Sequence, residues 1–349
     1  MKFSLTSILK FVIFLVVGFL ILYLLFRNNE AAYLEECALK GIPTEDCSLL
    51  QKITDDFKSV KLIWLVVILV IYMLSNFFRA LRWNQMLESV GYKPRIINSL
   101  GALMIGYFTN MAFPRVGELI KTGALSKYEN IPFETTIGTV VLDRILDVLC
   151  LLIVIGLALI LSYDTFREYF AENFVSPSTG TLTILAILGL LGLVAFVILL
   201  KVINRQDLKS PLLLKVQKLW KGFLEGITSL RNVKNPLLLI AYTIGIWVCY
   251  YLMTYLCFFA FHPVAHLSAV TGLVVFVFGT LGMVFPSPGG MGSYHLLITQ
   301  SLIIYGISSA DAFSFSNIIF FTINIFGNIF FGILFLIILP LYNKSKLND

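Results

Sequence analysis

Residues 110–121 read Asn-Met-Ala-Phe-Pro-Arg-Val-Gly-Glu-Leu-Ile-Lys and interrupt a strongly apolar part of the chain. The stretch contains a proline, a glycine and three charged residues, and lipid tolerates none of these when they are exposed. At membrane depth, backbone freed by Pro or Gly persists only where it is buried in protein or lines a wet cavity, and ionisable residues usually face such cavities. The stretch therefore predicts a broken membrane segment beside a polar site.

The composition around this stretch is that of a polytopic membrane protein. Of 349 residues, 58% are hydrophobic and 13% are charged, and several apolar runs reach the roughly 20 residues that a helix needs to cross a bilayer. The formal charge of +6 comes from bases that crowd particular loops, so we read it as a topology signal and expect no nucleic-acid partner. The apolar run at 8–26 is long and no small-x-small cleavage site follows it, so an uncleaved anchor is expected.

The apolar runs and their breakers predict an all-α integral membrane protein with about six full transmembrane helices and two broken re-entrant hairpins. The full crossings are expected near residues 8–26, 60–78, 136–161, 181–201, 236–261 and 312–341. The broken regions, which contain Gly and Pro, are 97–127 and 266–307.

Loop charge predicts the direction of each crossing. Segment 201–235 holds eight Lys or Arg residues against two acids, and the predicted loop 79–95 holds four against one, so both are expected in the cytoplasm. Segments 27–61 and 162–180 carry more acid than base and are expected outside. The helix that follows segment 97–127 must still run from inside to outside. Segment 97–127 is therefore expected to enter from the cytoplasm and return to it. Both termini are predicted to be cytoplasmic in a multi-pass protein of the cell membrane.

Charge leaves region 266–307 open, because two crossings and a hairpin from the outside both satisfy it. Symmetry favours the hairpin, since helix, broken hairpin and helix occur at 60–161 and again, inverted, at 236–341. On this interpretation the chain is a single membrane domain, 1–349. Residues 1–59 form an anchor helix and an outer loop, and residues 162–235 form a linking helix and a basic cytoplasmic segment.

Charged residues near the first break form the candidate substrate-binding site. Three of them lie three residues apart and share one helix face, and a second group lies about one turn into the next crossing. These residues, with the asparagine that opens the break, are Asn110, Arg115, Glu118, Lys121, Asp143, Arg144 and Asp147. They are expected either to neutralise one another as a buried ion-pair lattice or to hold an anionic head group, and the two functions can coexist.

The second break offers a site without charge, because no Asp, Glu, Lys or Arg occurs from 235 through 310. Backbone amides and half-helix ends there are suited to an anion. The candidate residues are Ser287, Gly289, Gly290, Gly292 and His295. His295 is expected to be either a hydrogen-bonded neutral imidazole or a proton carrier. His262 and His266 lack clustered acids, so neither a metal site nor a cofactor is expected.

Other features concern the loops and the last crossing. Cys37 and Cys47 lie in the predicted outer loop, and the sequence leaves open whether they form a disulfide. Segment 208–232 alternates bases with apolar residues, as either a helix on the cytoplasmic leaflet or a solvated connector would. The polar stripe of Asn317, Asn324 and Asn328 is more typical of helix–helix contact than of substrate binding.

Four motifs in order resemble the lysylphosphatidylglycerol synthase transmembrane-region family, the flippase-like integral membrane proteins. They are Arg-Ala-Leu-Arg-Trp at 79–83, the run with a Pro-Arg-x-Gly-Glu core at 110–118, Asp-Arg-Ile-Leu-Asp at 143–147 and Pro-Gly-Gly-x-Gly at 288–292. The resemblance implies a membrane domain that moves lipids or lipid-linked head groups, here without the soluble aminoacyl-transfer domain. The chain departs from the family in two places, with Asp143 where Glu is frequent and His295 where an acid is frequent.

We therefore predict a lipid flippase or transporter that is not an enzyme and whose partner is an anionic membrane lipid. One alternative is a membrane-embedded enzyme that acts on a lipid phosphate or a prenyl carrier with the same acids and His295. Another is a structural scaffold. The sequence leaves the lipid, the energy source and the oligomeric state open, including a homo-oligomer.

Overall fold

The computed structural model describes residues 5–113, 116–173, 217, 233–284 and 287–344. Throughout these ranges the secondary structure is helical, without strands. Three features of the sequence analysis lie outside the described residues: Arg115, the predicted crossing at 181–201 and, apart from Gln217, the basic segment 208–232.

The helices before the undescribed linker comprise an N-terminal pair, a long helix, a broken pair and two further helices. They are α1 (Leu5–Leu39), α2 (Leu49–Ser59), α3 (Leu62–Ser89), α4 (Ile96–Ala112), α5 (Gly117–Glu129), α6 (Phe133–Leu161) and α7 (Tyr163–Asn173). The helices after the linker are α8 (Pro236–Ala260), α9 (Ala269–Val284), α10 (Ser293–Ile304), α11 (Ser309–Phe320) and α12 (Asn328–Tyr342). A π-helical segment, Phe321–Gly327, joins α11 to α12 without a break.

Several helices begin at the polar residues that such positions favour. The Ser48 side chain accepts from the Gln51 N–H at the start of α2, and the Ser308 hydroxyl accepts from the Asp311 N–H at the start of α11. At the start of α8 the Asn235 side chain accepts from the Leu238 N–H, and Pro236 occupies the first turn. These local signals set the beginnings of the three helices.

Four helical stretches of the described chain are long and apolar enough to cross a membrane: α3, α6, α8 and the continuous span Ser309–Tyr342. They correspond to the predicted crossings at 60–78, 136–161, 236–261 and 312–341. The helices α4, α9 and α10 are apolar but shorter. The described part of the chain is thus all-helical, and its four long apolar stretches are those of a multi-pass membrane protein, while the total of six crossings and the orientation of the termini stay predictions.

The end of α3 corrects one boundary of the sequence analysis. The crossing was expected to end near residue 78 and to be followed by a loop, but α3 continues to Ser89. Arg79 and Arg82 therefore lie inside the helix, where both are at least 97% buried. The helix continues because acids of α6 neutralise these two bases. Two of the four bases that were expected in a loop at 79–95 therefore lie in a helix.

Both predicted breaks separate two antiparallel helices that pack closely against each other. In the first hairpin, residues 96–129, the Asn110 side chain accepts from the Gly117 N–H at 2.8 Å. In the second hairpin, residues 269–304, the Ser293 hydroxyl donates to the Gly282 carbonyl at 2.7 Å. Each hairpin thus has a side-chain hydrogen bond that joins its two helices beside the break. Their re-entry into the membrane stays a prediction.

The two halves pack in the same order around a central helix pair. The helices α3 and α8 pack along each other. In the first half α4 and α5 lie between α3 and α6, and in the second half α9 and α10 lie between α8 and α11. Each hairpin also contacts the last helix of the other half, α4 against α12 and α9 against α6. This order is compatible with the predicted repeats, whose inversion is not tested by it.

Candidate functional site

A cavity of about 460 Å³ lies between the two halves, and we name it the central cavity. Helices α3, α4, α6, α8, α9, α10 and α12 and the π-helical segment all contribute to its wall. Its polar lining includes Asn76, Arg79, Tyr107, Arg144, Asp147, Trp247, Tyr250, Thr254, Thr280, Asn324 and Asn328. Much of the remaining lining is apolar.

Arg79 connects three helices at the wall of this cavity. Its Nη1 lies 2.7 Å from Asp143 Oδ2 and 2.9 Å from Asp147 Oδ2, and its Nη2 donates to the Tyr250 hydroxyl at 3.0 Å. The spacing of Asp143 and Asp147, four residues apart on α6, places both carboxylates on one helix face. A single guanidinium of α3 therefore binds α6 twice and α8 once.

Arg82 repeats these contacts one turn further along α3. Its Nη2 lies 2.5 Å from Asp143 Oδ1 and 2.7 Å from Asp147 Oδ1, and its side chain is fully buried. Two arginines and two aspartates thus form a closed set of charge-assisted hydrogen bonds, which are stronger than neutral ones. The set fixes α6 against α3.

Glu118 joins the first hairpin to the same set. Its Oε2 lies 2.6 Å from Lys121 Nζ, and its Oε1 lies 3.2 Å from Arg144 Nη2. Arg144 is also 3.7 Å from both Asp143 and Asp147. The Lys121 ammonium lies 5.5 Å from the centre of the Trp83 ring, within reach of a cation–π contact. The ion pairs therefore run continuously from α3 through α6 to α5.

We name these seven residues the charged cluster: Arg79, Arg82, Glu118, Lys121, Asp143, Arg144 and Asp147. Its four bases and three acids leave one positive charge in excess. Removing charges from water is costly unless they are paired, so this excess favours an anion nearby. Arg144 is the best placed of the bases to meet one, because it lines the central cavity and its side chain is 44% exposed.

Three buried polar atoms that belong to residues of the cavity lining have no hydrogen-bond partner within the described residues. They are Asn76 Oδ1, Arg79 Nε and Trp247 Nε1, and each belongs to a residue that is more than nine-tenths buried. Buried polar atoms are nearly always paired, and leaving one unpaired costs about 1–3 kcal/mol. Two unsatisfied donors and one unsatisfied acceptor therefore belong to residues around the same cavity.

The structure brings five of the predicted first-repeat residues together: Glu118, Lys121, Asp143, Arg144 and Asp147. Their arrangement is the ion-pair lattice that was one of the two expectations. Within the described residues, Arg144 and Asp147 are the members of this group that line the central cavity. Asn110 lies instead beside the break of the first hairpin, where its side chain accepts from the Gly117 N–H.

The second break is packed against protein. A Cβ at Gly290 would collide with Met283, and one at Gly292 would lie 2.9 Å from the carbonyl oxygen of Gly18 in α1. Both glycines have positive φ, as does Gly289. The second hairpin contributes Gly279, Thr280, Met283, Val284 and Tyr294 to the cavity, whereas none of the candidates Ser287, Gly289, Gly290, Gly292 and His295 is among the lining residues of the described chain.

His295 is buried beside aromatic rings. Its Nδ1 accepts a long, 3.4 Å hydrogen bond from the Gly292 N–H, and its ring centre lies 4.5 Å from that of Phe320. These contacts match the hydrogen-bonded imidazole of the sequence analysis, and a proton-carrying function has no support in them.

Sequence reasoning missed the residues that matter most at the cavity wall. Arg79 and Arg82 were counted as loop charges, although their spacing of three residues directly after an apolar run indicates one face of a continuing helix. Asn76 lies three residues before Arg79 on that face. Nothing in the local sequence singles out Trp247. Asn324 and Asn328 line the cavity, and Asn328 also accepts from the Tyr72 hydroxyl at 2.6 Å.

Comparison with known proteins gives one short match and one long one. The chain is 27% identical over 92 residues to "Glycosyltransferase AglD" of Haloferax volcanii, which covers 26% of this chain and 15% of that protein. The chain thus matches only a small part of that relative's length. No solved structure matches significantly.

The long match is to a protein family and covers residues 48–340. It includes both hairpins, the charged cluster and the central cavity. Because the match extends over well more than half of the sequence, the chain belongs to the family described as the lysylphosphatidylglycerol synthase TM region.

Proposed function

We propose that the protein moves an anionic lipid between the two leaflets of a membrane and binds the lipid head group in the central cavity. The observation that carries the proposal is the set of unpartnered atoms on Asn76, Arg79 and Trp247. A head group with phosphate oxygens and at least one donor offers the kinds of partner that these three atoms lack, and pairing with it would remove the cost of burying them unpaired. Membership of a family named for a lipid synthase is consistent with a lipid-related function.

The charge of the site favours an anion. The charged cluster has one positive charge in excess, and Arg144 presents its guanidinium at the cavity wall. Bidentate binding of phosphate is a frequent use of arginine. The acids of the cluster hold Arg79 and Arg82 strongly, so these two bases are only partly free to trap a phosphate. Such a balance suits a transporter, which must release what it binds.

The size and the rim of the cavity suit a lipid. Its volume of about 460 Å³ lies within the range of about 300–1,000 Å³ that is usual for small-molecule sites. Val148 of α6 and Val284 of α9 line the cavity and are more than half exposed. A head group inside could thus keep its acyl chains in the bilayer beside this apolar rim.

A membrane-embedded enzyme is the second candidate, because the short match is to a protein named as a glycosyltransferase. Its acid–base groups would be the acids of the charged cluster and His295. The contacts favour it less, since Asp143 and Asp147 are held by arginines and His295 lies outside the cavity lining. The experiment below separates the two candidates.

The test uses purified protein in vesicles of phosphatidylcholine with a fluorescent anionic phospholipid, labelled on its acyl chain. A membrane-impermeant quencher measures how fast the label changes leaflets. Trp247→Phe removes the unpartnered N–H and keeps a ring, while Asn76→Leu removes the unpartnered acceptor. Each is expected to slow translocation roughly three- to tenfold, because one hydrogen bond to the head group is worth about 1 kcal/mol.

Matched variants distinguish the cavity from general damage. Trp64→Phe changes a tryptophan that packs on Phe259 away from the cavity. Asn317→Leu removes the same bond within its helix that Asn76 makes, from the side-chain amide to the carbonyl four residues earlier. Both are expected to translocate at the wild-type rate. Equal loss in all four variants, or no translocation by the wild type, would refute the proposal, and a chemically altered lipid would favour the enzyme.

A further inference from the structure

Residues 16–59 form a continuous segment that we name the strap. It consists of α1 from Val16, the turn that follows and α2. The family match begins at residue 48, so most of the strap lies outside it. Nevertheless the strap packs on the second hairpin and on α11, which carry part of the matched region. Three contacts at successive heights hold it there.

The first contact joins α1 to the second break. A Cβ built on Gly292 would lie 2.9 Å from the Gly18 carbonyl oxygen and 2.9 Å from Ile21 Cβ. Gly292 has a φ of +86°, which also favours glycine. The strap therefore touches the backbone of the second hairpin at the residue immediately before α10.

The second contact joins α1 to the start of α11. The Ser309 hydroxyl donates to Asn29 Oδ1 at 2.5 Å, and Asn29 Nδ2 donates to the Leu25 carbonyl at 2.6 Å. Asn29 is 2% exposed. A buried amide whose oxygen and nitrogen are both bonded fixes the height of α1 against α11.

The third contact joins α2 to α11. Lys52 Nζ lies 2.7 Å from Asp311 Oδ1 and 3.1 Å from Asp56 Oδ2. Partial burial opposes the charge of Lys52, but the two carboxylates outweigh it, so the pKa of the lysine lies above its usual range. Beside this pair, Leu49 is fully buried in a small apolar cluster with Phe313. The return of α2 onto α11 thus combines an ion pair with apolar burial.

A disulfide between Cys37 and Cys47 closes the turn that makes this return possible. It joins residues ten positions apart, and both cysteines are buried. It also settles the pairing that the sequence left open. A cross-link of this kind stabilises mainly by limiting the open conformations of the segment that it closes, which here is the segment between α1 and α2.

We propose that the strap is a redox-sensitive clamp that keeps the second hairpin and the start of α11 in place. With the disulfide intact, α2 is held where Lys52 and Leu49 meet α11. A dithiol reductant supplies two electrons and two protons to the bond, which leaves two cysteine thiols while the dithiol becomes a disulfide. The third contact then loosens, and the second hairpin opens more often. The inference does not depend on which substrate the protein carries.

Hydrogen–deuterium exchange of the full-length protein in nanodiscs tests the clamp. Cys37→Ser with Cys47→Ser, or treatment of the wild type with dithiothreitol, is expected to raise exchange several-fold in residues 293–311. The first hairpin, residues 96–129, packs against α6 and α12 and serves as the internal control, where exchange is expected to stay unchanged. Equal change in both hairpins, or no change in either, would overturn the proposal.

A second pair of variants tests the clamp without altering the cysteines. Lys52→Met removes the ion pair to Asp311 and is expected to raise exchange in the same residues 293–311. Lys58→Met removes an exposed pair to Asp55 within α2 and is expected to leave exchange there at the wild-type level. An equal effect of the two substitutions would show that α2 acts only through its own stability, and it too would overturn the proposal.

Discussion

The two hairpins have the same helix–break–helix pattern but are stabilised by different means. In the first, the side chains of Glu118 and Lys121 connect α5 to the rest of the charged cluster, and Asn110 joins the two helices beside the break. The second is stabilised instead by glycines at positive φ and by close packing of its backbone against α1 and Met283. One hairpin therefore supplies charge to the centre of the protein, and the other supplies close approach without charge.

This difference shows how broken backbone is tolerated in an apolar environment. Backbone groups that leave a helix need partners, and in lipid these partners must be protein groups. A side-chain amide serves in the first hairpin and a serine hydroxyl in the second. The charges of the first hairpin pair with each other and with a counter-charge on α6, whereas the second hairpin requires only space. Substitutions can test this division between charge and space.

The largest effect is expected in the charged cluster, to which the first hairpin contributes Glu118 and Lys121. Asp143→Asn removes a carboxylate that Arg79 and Arg82 share in a fully buried setting. Breaking a buried ion pair from one side costs about 3–5 kcal/mol, because it leaves a charge unpaired. We expect a large fall in the thermal midpoint of the detergent-solubilised protein.

Glu134→Gln is the control for this substitution, since Glu134 is an exposed acid at the start of the same helix. Its midpoint is expected to stay within a degree or two of the wild type. Similar midpoints for the two variants would mean that the charged cluster does not stabilise the fold.

The next largest effect concerns close approach, which both hairpins need. A Cβ at Gly117 would lie 2.6 Å from Asn110 Cγ, and one at Gly282 would lie 2.7 Å from Tyr294 Cα. Gly117→Ala and Gly282→Ala are each expected to destabilise by about 1–3 kcal/mol through overpacking. Chemical denaturation in mixed micelles measures the change.

Gly123→Ala provides the opposite sign. A Cβ there meets nothing within 4 Å, and replacing a helical glycine by alanine stabilises by about 0.5–1 kcal/mol. If Gly117→Ala also stabilised the protein, the first hairpin would not depend on the close approach of its two helices. Charge alone would then hold it, contrary to the expectation that both hairpins need close approach.

The sequence predicted the parts of the fold that local patterns determine. Apolar runs located the long helices, and Pro and Gly at 114–117 and 286–292 located both breaks, because backbone breakers act where they stand. The boundary of α3 was wrong for a physical reason. Two arginines after an apolar run indicate the end of a membrane helix when no partner for them is known. The partners of Arg79 and Arg82 are Asp143 and Asp147, which lie about 60 residues further along the chain.

The site was predictable only in part. The i and i+4 spacing of Asp143 and Asp147 and the three-residue spacing of Glu118 and Lys121 gave two faces that indeed meet. The cavity itself is formed by seven helices and the π-helical segment, so Asn76 and Trp247 enter it through tertiary packing that no local pattern encodes. The predicted binding by Arg115 lies outside the described residues and stays a prediction.

A smaller effect is expected from the side-chain hydrogen bonds beside the two breaks. Asn110→Ala leaves the Gly117 N–H without its acceptor, while Ser293→Ala removes a donor to a carbonyl. Each is expected to cost about 1–2 kcal/mol, because a buried polar group loses its partner. Thr109→Ala is the control, since the Thr109 hydroxyl donates to the Ile105 carbonyl of its own helix. Equal losses of stability in all three variants would show that the hydrogen bonds beside the breaks contribute no more than a bond within one helix.

The smallest effect distinguishes packing from substrate binding at the second break. Gly289 has a φ of +59°, and a Cβ there would meet only Phe320, at 3.8 Å. Gly289→Ala is therefore expected to cost about 1 kcal/mol through left-handed strain and to leave lipid translocation unchanged. Gly41→Ala, at a φ of +70° in open space near the disulfide, has the same strain far from the hairpin. Loss of translocation by Gly289→Ala alone, at matched stability, would return this glycine to the head-group site that the sequence suggested.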